Sequence, residues 1–224
     1  MIELQDIRKP DCTLCKLHRT ADAVCQLGFG SKSPTVMVVS KMANSRDWQS
    51  DLELELSDMG LDLRKVYFTQ AVKCRTFDQD ASNADIKTCK TYLEDEIAAL
   101  QPSYILALGN EALLATIGRS GITKYRGRIY DRPDGIEVIP TVSPSAVKRN
   151  PGQRPGYMAD LRLFVNRVKG LSNGIPQPNY TVVDTREKLD SLKRALSITT
   201  RMGLCFSIAS KMRLVVSPSS RSDE

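Results

Sequence analysis

The chain has one histidine, His18, and one tryptophan, Trp48, in 224 residues. Chemistry that needs imidazole therefore has a single place to find it. No run of 18 apolar residues occurs and no basic-then-apolar leader opens the chain, so nothing argues for membrane insertion or secretion. The expected setting is intracellular and cytoplasmic, where thiols stay reduced. Internal repeats are absent. Length does not call for disulfides either, because a chain of this size buries an adequate core without them.

What the chain does have is six cysteines, four of them in a pattern. Cys12 and Cys15 form a C-x2-C pair, and Cys74 and Cys89 follow after a long interval as a C-x14-C pair. In a reducing compartment such spacing reads as metal-binding or redox. If the four thiols converge they bind a metal centre and staple the N-terminal segment to the first strands. Zinc and an iron–sulfur cluster both suit an all-thiolate set. Cys25 and Cys205 are left over and read as small buried hydrophobes. His18, three residues after Cys15, reads as a helix-surface or neighbouring residue, since four cysteines already close the site.

Net charge is +6 and the sequence pI about 9.0. The cations crowd particular loops: Lys73 and Arg75 around Cys74, Lys124 through Arg128, Lys148 with Arg149, and Arg154. Such a balance fits a polyanionic partner, most simply nucleic acid.

Residues 35–40 (TVMVVS), 66–69, 104–108 (YILAL) and 135–141 read as short buried strands. Helical patterns fall between them, at 51–60, from 83 to about 100, from 110 through 117, and at about 157–169. Strands alternating with helices predict a three-layer α/β/α domain on a four-stranded parallel sheet, with ligands beyond the C-terminal strand ends. That domain spans residues 1–169. Residues 170–179 have the composition of a linker, and 180–224 read as a small βαββ-like extension.

These residues resemble the iron–sulfur uracil-DNA glycosylases, family 4 of the uracil-DNA glycosylase superfamily, over roughly residues 8–168. The blocks that carry the likeness are CTLCKLH at 12–18, VYFTQAVKCR at 66–75, Cys89, YILALGNEA at 104–112, YRG at 125–127, IPTVSPSAVKR at 139–149, and Asp160 with Leu161. The resemblance implies that Cys12, Cys15, Cys74 and Cys89 hold a 4Fe-4S cluster. It also implies DNA as partner, bound mainly through the backbone by Lys73, Arg75, Lys124, Arg126, Arg128, Ser143, Ser145, Lys148 and Arg149.

At the family's catalytic positions the chain departs. The GEAPG-type loop reads SKMAN at 40–44, so the carboxylate has become Lys41. The loop carrying the stacking aromatic is missing; Trp48 is the candidate replacement for its ring, and Asp47 the candidate surrogate for the lost carboxylate. Gln70 stands where an asparagine reads the base edge, and Ser143 where a histidine supports the departing anion. Losing such contacts costs roughly 3 kcal/mol or more apiece, so the expectation is a DNA-binding relative whose uracil excision is absent or very weak. The alternatives are a glycosylase with non-standard residues, in which Lys41 acts as an amine nucleophile on C1′, and a structural or protein-interaction module.

Residues 180–209 are similar to the opening of the 3′–5′ exonuclease domain in family A DNA polymerases, with Ser207 and Ala209 where that family has an Asp-x-Glu metal pair. This resemblance implies a phage or replication setting, with a DNA polymerase or other replication protein as a partner.

Overall fold

The computed structural model describes residues 4–42, 47–76, 80–171 and 190, with the side chains of 4, 5, 47 and 48 left out. The expected extension, its resemblance to the exonuclease opening, and Cys205 fall outside the described residues, apart from Asp190. The chain divides into two compact units, Met1–Pro176 and Gln177–Glu224, and the first contains the sheet and the helices that cover it.

Its elements are α1 (Leu4–Ile7), β1 (Phe29–Gly30), β2 (Val36–Met42), α2 (Asp47–Asp58), β3 (Val66–Val72), α3 (Asn83–Leu100), β4 (Tyr104–Leu108), α4 (Gly109–Ile117), α5 (Ile122–Tyr125), β5 (Tyr130–Asp131), β6 (Glu137–Thr141), α6 (Pro144–Arg149) and α7 (Arg154–Val168). The sheet order is β1-β3-β2-β4-β6-β5. The inner four strands run parallel, as the alternation of strands and helices predicts. The sheet as a whole is mixed and six-stranded, because β1 and β5 add antiparallel edges. Two-residue strands are too short to leave a periodic signature in the sequence.

Each inner strand is buried on both faces, which explains its unbroken apolar run. On one face Met37, Val39, Tyr67 and Ile105 pack with Leu93 and Ile97 of α3 and Ala112 and Ala115 of α4. On the other, Val38, Phe68, Leu106 and Ile139 pack with Leu52 and Leu56 of α2 and Leu161 and Phe164 of α7. The result is three layers. Helix α3 starts where Ser82 caps it, the Ser82 hydroxyl accepting from Asp85 N–H while the Asp85 carboxylate accepts from Ser82 N–H. It ends at Gln101, whose left-handed backbone (φ +48°) closes the last turn on Ile97.

The chain leaves β2 for β3 through α2 on one face and comes back to β4 through α3 on the other. Right-handed crossovers demand that change of face when the winding direction reverses. The reversal opens a crevice beyond the C-terminal ends of β2 and β4. No helix of the described residues is long and apolar enough to cross a membrane.

Candidate functional site: a thiol group and a cleft at the strand ends

The N-terminal segment is stitched along the end of β3. Asp22 N–H donates to Arg75 O (3.1 Å), Arg75 N–H to Ala23 O (2.8 Å) and Gln26 N–H to Lys73 O (2.7 Å). This antiparallel stitch carries the first cysteine pair towards Cys74. A 3-10 turn at Lys16–Arg19 anchors it, with Leu17 fully buried.

Burial is the main cause that raises the Cys15, Cys74 and Cys89 thiols, and smaller contributions come from one another's charge: Cys12 on Cys15 and Cys74, Cys15 on Cys74 and Cys89, and Cys74 on Cys89. Burial pushes the Cys89 thiol up to about 12, against the lowering effect of Lys73. Main-chain donors face the sulfurs: Lys73 N–H donates to Cys89 Sγ at 3.2 Å, Cys25 N–H to Cys74, and the Leu17 and His18 N–H groups to Cys15. Among the described residues no three His, Cys, Asp or Glu side chains are gathered closely enough to hold a single metal ion. The chemistry of the donor set nonetheless fits a thiolate-ligated group. It supplies four free thiols and N–H donors that would stabilise them once deprotonated.

Cys25 is 2% exposed, as expected of a packing residue. Its backbone is left-handed (φ +47°), and its N–H lowers the Cys74 thiol against the larger effect of burial. His18 Nδ1 lies 2.5 Å from Cys15 O, so the lone imidazole braces the C-x2-C loop.

The second feature is a cavity of about 170 Å³ in the crevice, lined by residues that include Ser40, Lys41, Glu111, Ser143, Ser145 and Arg149. Three of these come from the ends of three parallel strands: Lys41 from β2, Glu111 from the first turn after β4, and Ser143 from just beyond β6. Lys41 Nζ donates to Asp80 Oδ1 at 2.7 Å and stands 3.4 Å from Glu111 Oε1. Burial alone would lower the Lys41 pKa, but the Asp80 bond and the Glu111 charge outweigh it and hold the ammonium above its ordinary value. Ser143 Oγ accepts from Ala146 N–H at 3.2 Å, capping α6, and sits 3.2 Å from Ser145 Oγ. Pro144 at the first helical position completes that start. Gln70 lies beside Ser40 in the sheet, and its Oε1 is buried without a donor among the described residues.

Sequence reasoning missed Glu111. It opens α4 immediately after a buried strand, and its position at the sheet's C-terminal edge was the available signal. Asp47 and Trp48 begin α2, with side chains outside the described residues.

Two residues expected to contact DNA face inward. Lys73 is 1% exposed, and its ammonium lies against Thr69 Oγ1 and the buried Glu96 carboxylate. Arg126 is committed to Asp160, 2.8 Å away, and packs against Gly156. Lys73 is thus a buried structural charge, while Arg126 is half-buried, with its ion pair to Asp160 and an Nε that has no hydrogen-bond partner among the described residues. Arg75 pairs with Asp22 at 2.6 Å and Lys148 with Asp51 at 2.8 Å, both at the surface. Lys124, Arg128 and Arg149 are exposed, and none makes an ion pair within the described residues. Lys124 lies 5.7 Å from the Tyr125 ring centroid. Residues 121–127 sit at the same sheet end as the cavity, because Asn110 Oδ1 accepts from Gly121 and Ile122 N–H and Pro140 O accepts from Gly127 N–H.

A parallel sheet covered on both faces, a cleft at its switch point and a thiol group beside β3 together define an α/β/α domain whose crevice lies at the strand ends. The family model described as the uracil DNA glycosylase superfamily matches residues 29–166, and the chain belongs to that superfamily. It is similar to the type-4 uracil-DNA glycosylase of Pyrobaculum aerophilum, 28% identical over 69% of this chain and 88% of that protein. The type-4 uracil-DNA glycosylase of Archaeoglobus fulgidus is 27% identical over 72% and 92%. A DNA polymerase of Bacillus phage SP01 is 24% identical over 76% of this chain, which spans only 20% of that polymerase.

Proposed function

We propose that this chain is a DNA-binding, cluster-bearing member of its superfamily in which the ordinary machinery for uracil excision is gone. Cys12, Cys15, Cys74 and Cys89 would hold a 4Fe-4S cluster, a group that in this setting supplies a rigid cross-link and a one-electron couple. Lys124, Arg128 and Arg149, with Arg75 and Lys148 at their rims, would meet phosphates without reading sequence. The likeness to a phage DNA polymerase supports a setting in replication or repair, beside a polymerase.

The observation that carries this reading is Lys41, a protonated amine where the superfamily's cleft would carry a carboxylate. Its two carboxylate partners keep it charged, which also argues against Lys41 as a nucleophile on C1′, since that chemistry needs the free amine. Ser143 Oγ accepts the capping bond of α6, which leaves a neutral hydroxyl as the donor where an imidazole would support a departing uracil anion.

The test pairs two measurements on the full chain. Duplex affinity should fall steeply between about 50 and 200 mM salt, and single-turnover assays on a uracil-containing duplex should release no base above background. Salt-independent binding, or rapid uracil release, would overturn the proposal.

A further inference from the structure

Each of the four cysteines expected to hold a cluster meets a hydrogen-bond donor, and one of those donors differs in kind. Lys73 N–H serves Cys89, Cys25 N–H serves Cys74, and the Leu17 and His18 N–H groups serve Cys15. These are main-chain groups, fixed by the fold. Cys12 meets the hydroxyl of Tyr92, a side chain. On the reading that the four thiolates hold a 4Fe-4S cluster, we infer that the Tyr92 hydroxyl sets the potential at which the bound cluster takes up an electron, by stabilising the reduced state through the Cys12 sulfur.

Helix α3 aims the ring. Cys89, Tyr92 and Glu96 stand at i, i+3 and i+7, one stripe along a single helix face. Both neighbours of Tyr92 in that stripe are pinned: Lys73 N–H donates to Cys89 Sγ at 3.2 Å, and the Lys73 ammonium pairs with Glu96. Across from them Cys12 N–H donates to Lys9 O at 3.0 Å, closing a turn just after α1, which packs against α3. Tyr92 thus bridges the C-x2-C segment and the helix that carries Cys89. The residue is half-buried, and burial together with the Cys12 bond raises the phenol above its ordinary value. The proton therefore stays on the oxygen, and the sulfur accepts.

Hydrogen bonds to the sulfurs and solvent exposure are two of the levers that place such potentials. Reduction adds negative charge that the thiolates share, and a hydrogen bond to a charged acceptor is the stronger kind. A donor on Cys12 accordingly favours the reduced state and raises the potential. Cover by the ring works the other way, because a poorly solvated site disfavours added charge. Tyr92→Phe keeps the ring and removes the donor, so it separates the two effects.

The experiment uses the full, cluster-loaded chain as wild type, Tyr92→Phe and Tyr104→Phe, the last a half-buried tyrosine that opens β4 at the sheet end away from Cys74. In a mediated redox titration followed by visible absorbance, the equilibrium constant for one-electron reduction should fall about tenfold in Tyr92→Phe, a midpoint about 59 mV lower. Its iron content should match wild type, and Tyr104→Phe should leave the midpoint in place. An unchanged midpoint in Tyr92→Phe, an equal fall in Tyr104→Phe, or a wild type that takes up no electron would overturn the inference and leave the cluster reading standing. Loss of iron from Tyr92→Phe would overturn it too, by making the bond a requirement for assembly. A colourless, iron-free wild type would overturn both.

Discussion

The ammonium of Lys73 meets the carboxylate of Glu96 where the two side chains are 1% and 0% exposed. Tyr67 hydroxyl (3.3 Å), Thr69 hydroxyl (2.5 Å) and Gly28 N–H (3.0 Å) also donate to Glu96, so the carboxylate is fully surrounded by donors. The pair locks β3 to α3 directly beneath the Cys74–Cys89 end of the thiol group. Removing one partner strands a buried charge, so Lys73→Met should destabilise by about 3–5 kcal/mol. Lys73→Met with Glu96→Gln should recover a large part of that, because no uncompensated charge remains. Equilibrium urea unfolding of the two single variants and the double variant measures the coupling. A loss below about 1 kcal/mol for Lys73→Met would contradict the burial argument.

A second lock joins the loop after α5 to α7. A Cβ on Gly127 would lie 2.5 Å from Asp160 Oδ1, and one on Gly156 would lie 2.5 Å from the Arg126 guanidinium. Gly127 also has φ +67°, which side chains rarely adopt. Overpacking of this kind costs about 1–3 kcal/mol. Gly127→Ala should therefore lower the melting temperature by roughly 2–12 °C. Gly156→Ala should fall at the lower end, since only the far end of the Arg126 side chain must yield and Gly156 has no positive φ to strain. Differential scanning fluorimetry is enough to see it.

These two locks mark where the sequence was legible and where it was not. The four parallel strands stood out because each is a short apolar run between helical patterns, and both faces of the sheet are covered. Thiol spacing pointed to one neighbourhood because Cys74 and Cys89 bracket the turn from β3 to α3. The cations were harder. Lys73 and Arg126 read as surface charge because sequence gives charge without its partner. Glu96 falls on the Leu93, Ile97 and Leu100 stripe of α3, which is the one sign that a carboxylate is buried there. Asp160 lies in a similar stripe with Leu161 and Phe164. Glu111 carried one signal, its place just after a buried strand, but only the strand order brings the start of α4 beside Lys41.

Stability should respond to acid through two Arg–carboxylate pairs. Arg132, hydrogen-bonded to Asp134, and Arg167, hydrogen-bonded to Glu137, hold those carboxyls below their ordinary values of 3.8 and 4.5. A carboxyl whose folded pKa is lowered contributes fully above its unfolded value, and the contribution is lost as pH falls through the folded one. Arg132→Gln should reduce stability at neutral pH and shrink the loss seen below about pH 4. Asp160 works in the opposite sense. Burial raises its pKa despite Thr141 and Arg126, so its contribution is full below 3.8 and declines as pH rises through the raised value. Melting temperature followed across acid pH for wild type and Arg132→Gln separates the two trends.

The DNA contacts should separate by salt dependence. Arg149→Gln and Lys124→Gln each remove an exposed cation at the sheet end that holds the cleft, so each should weaken all duplexes alike and reduce the salt slope by about 1. Arg126→Gln removes a charge already committed to Asp160. It should lower stability and leave the slope unchanged. A slope change for Arg126→Gln equal to that for Arg149→Gln would return Arg126 to the DNA surface.

The thiol group makes the sharpest spectroscopic prediction. Protein prepared without oxygen should be brown, with broad visible absorption and iron and sulfide in equal amounts, four of each per chain, as a 4Fe-4S cluster requires. Serine at Cys12, Cys15, Cys74 or Cys89 should remove that colour, because a hydroxyl is a poor substitute for a thiolate on iron. Cys25→Ala should keep it, since what Cys25 gives Cys74 is its backbone N–H. The retained colour in Cys25→Ala separates ligation from general loss of packing, as that residue is as buried as Cys74. A colourless wild-type protein with one zinc per chain would instead assign the four thiolates to a tetrahedral site. Colour lost equally in Cys25→Ala would mean that the fifth sulfur belongs among the ligands.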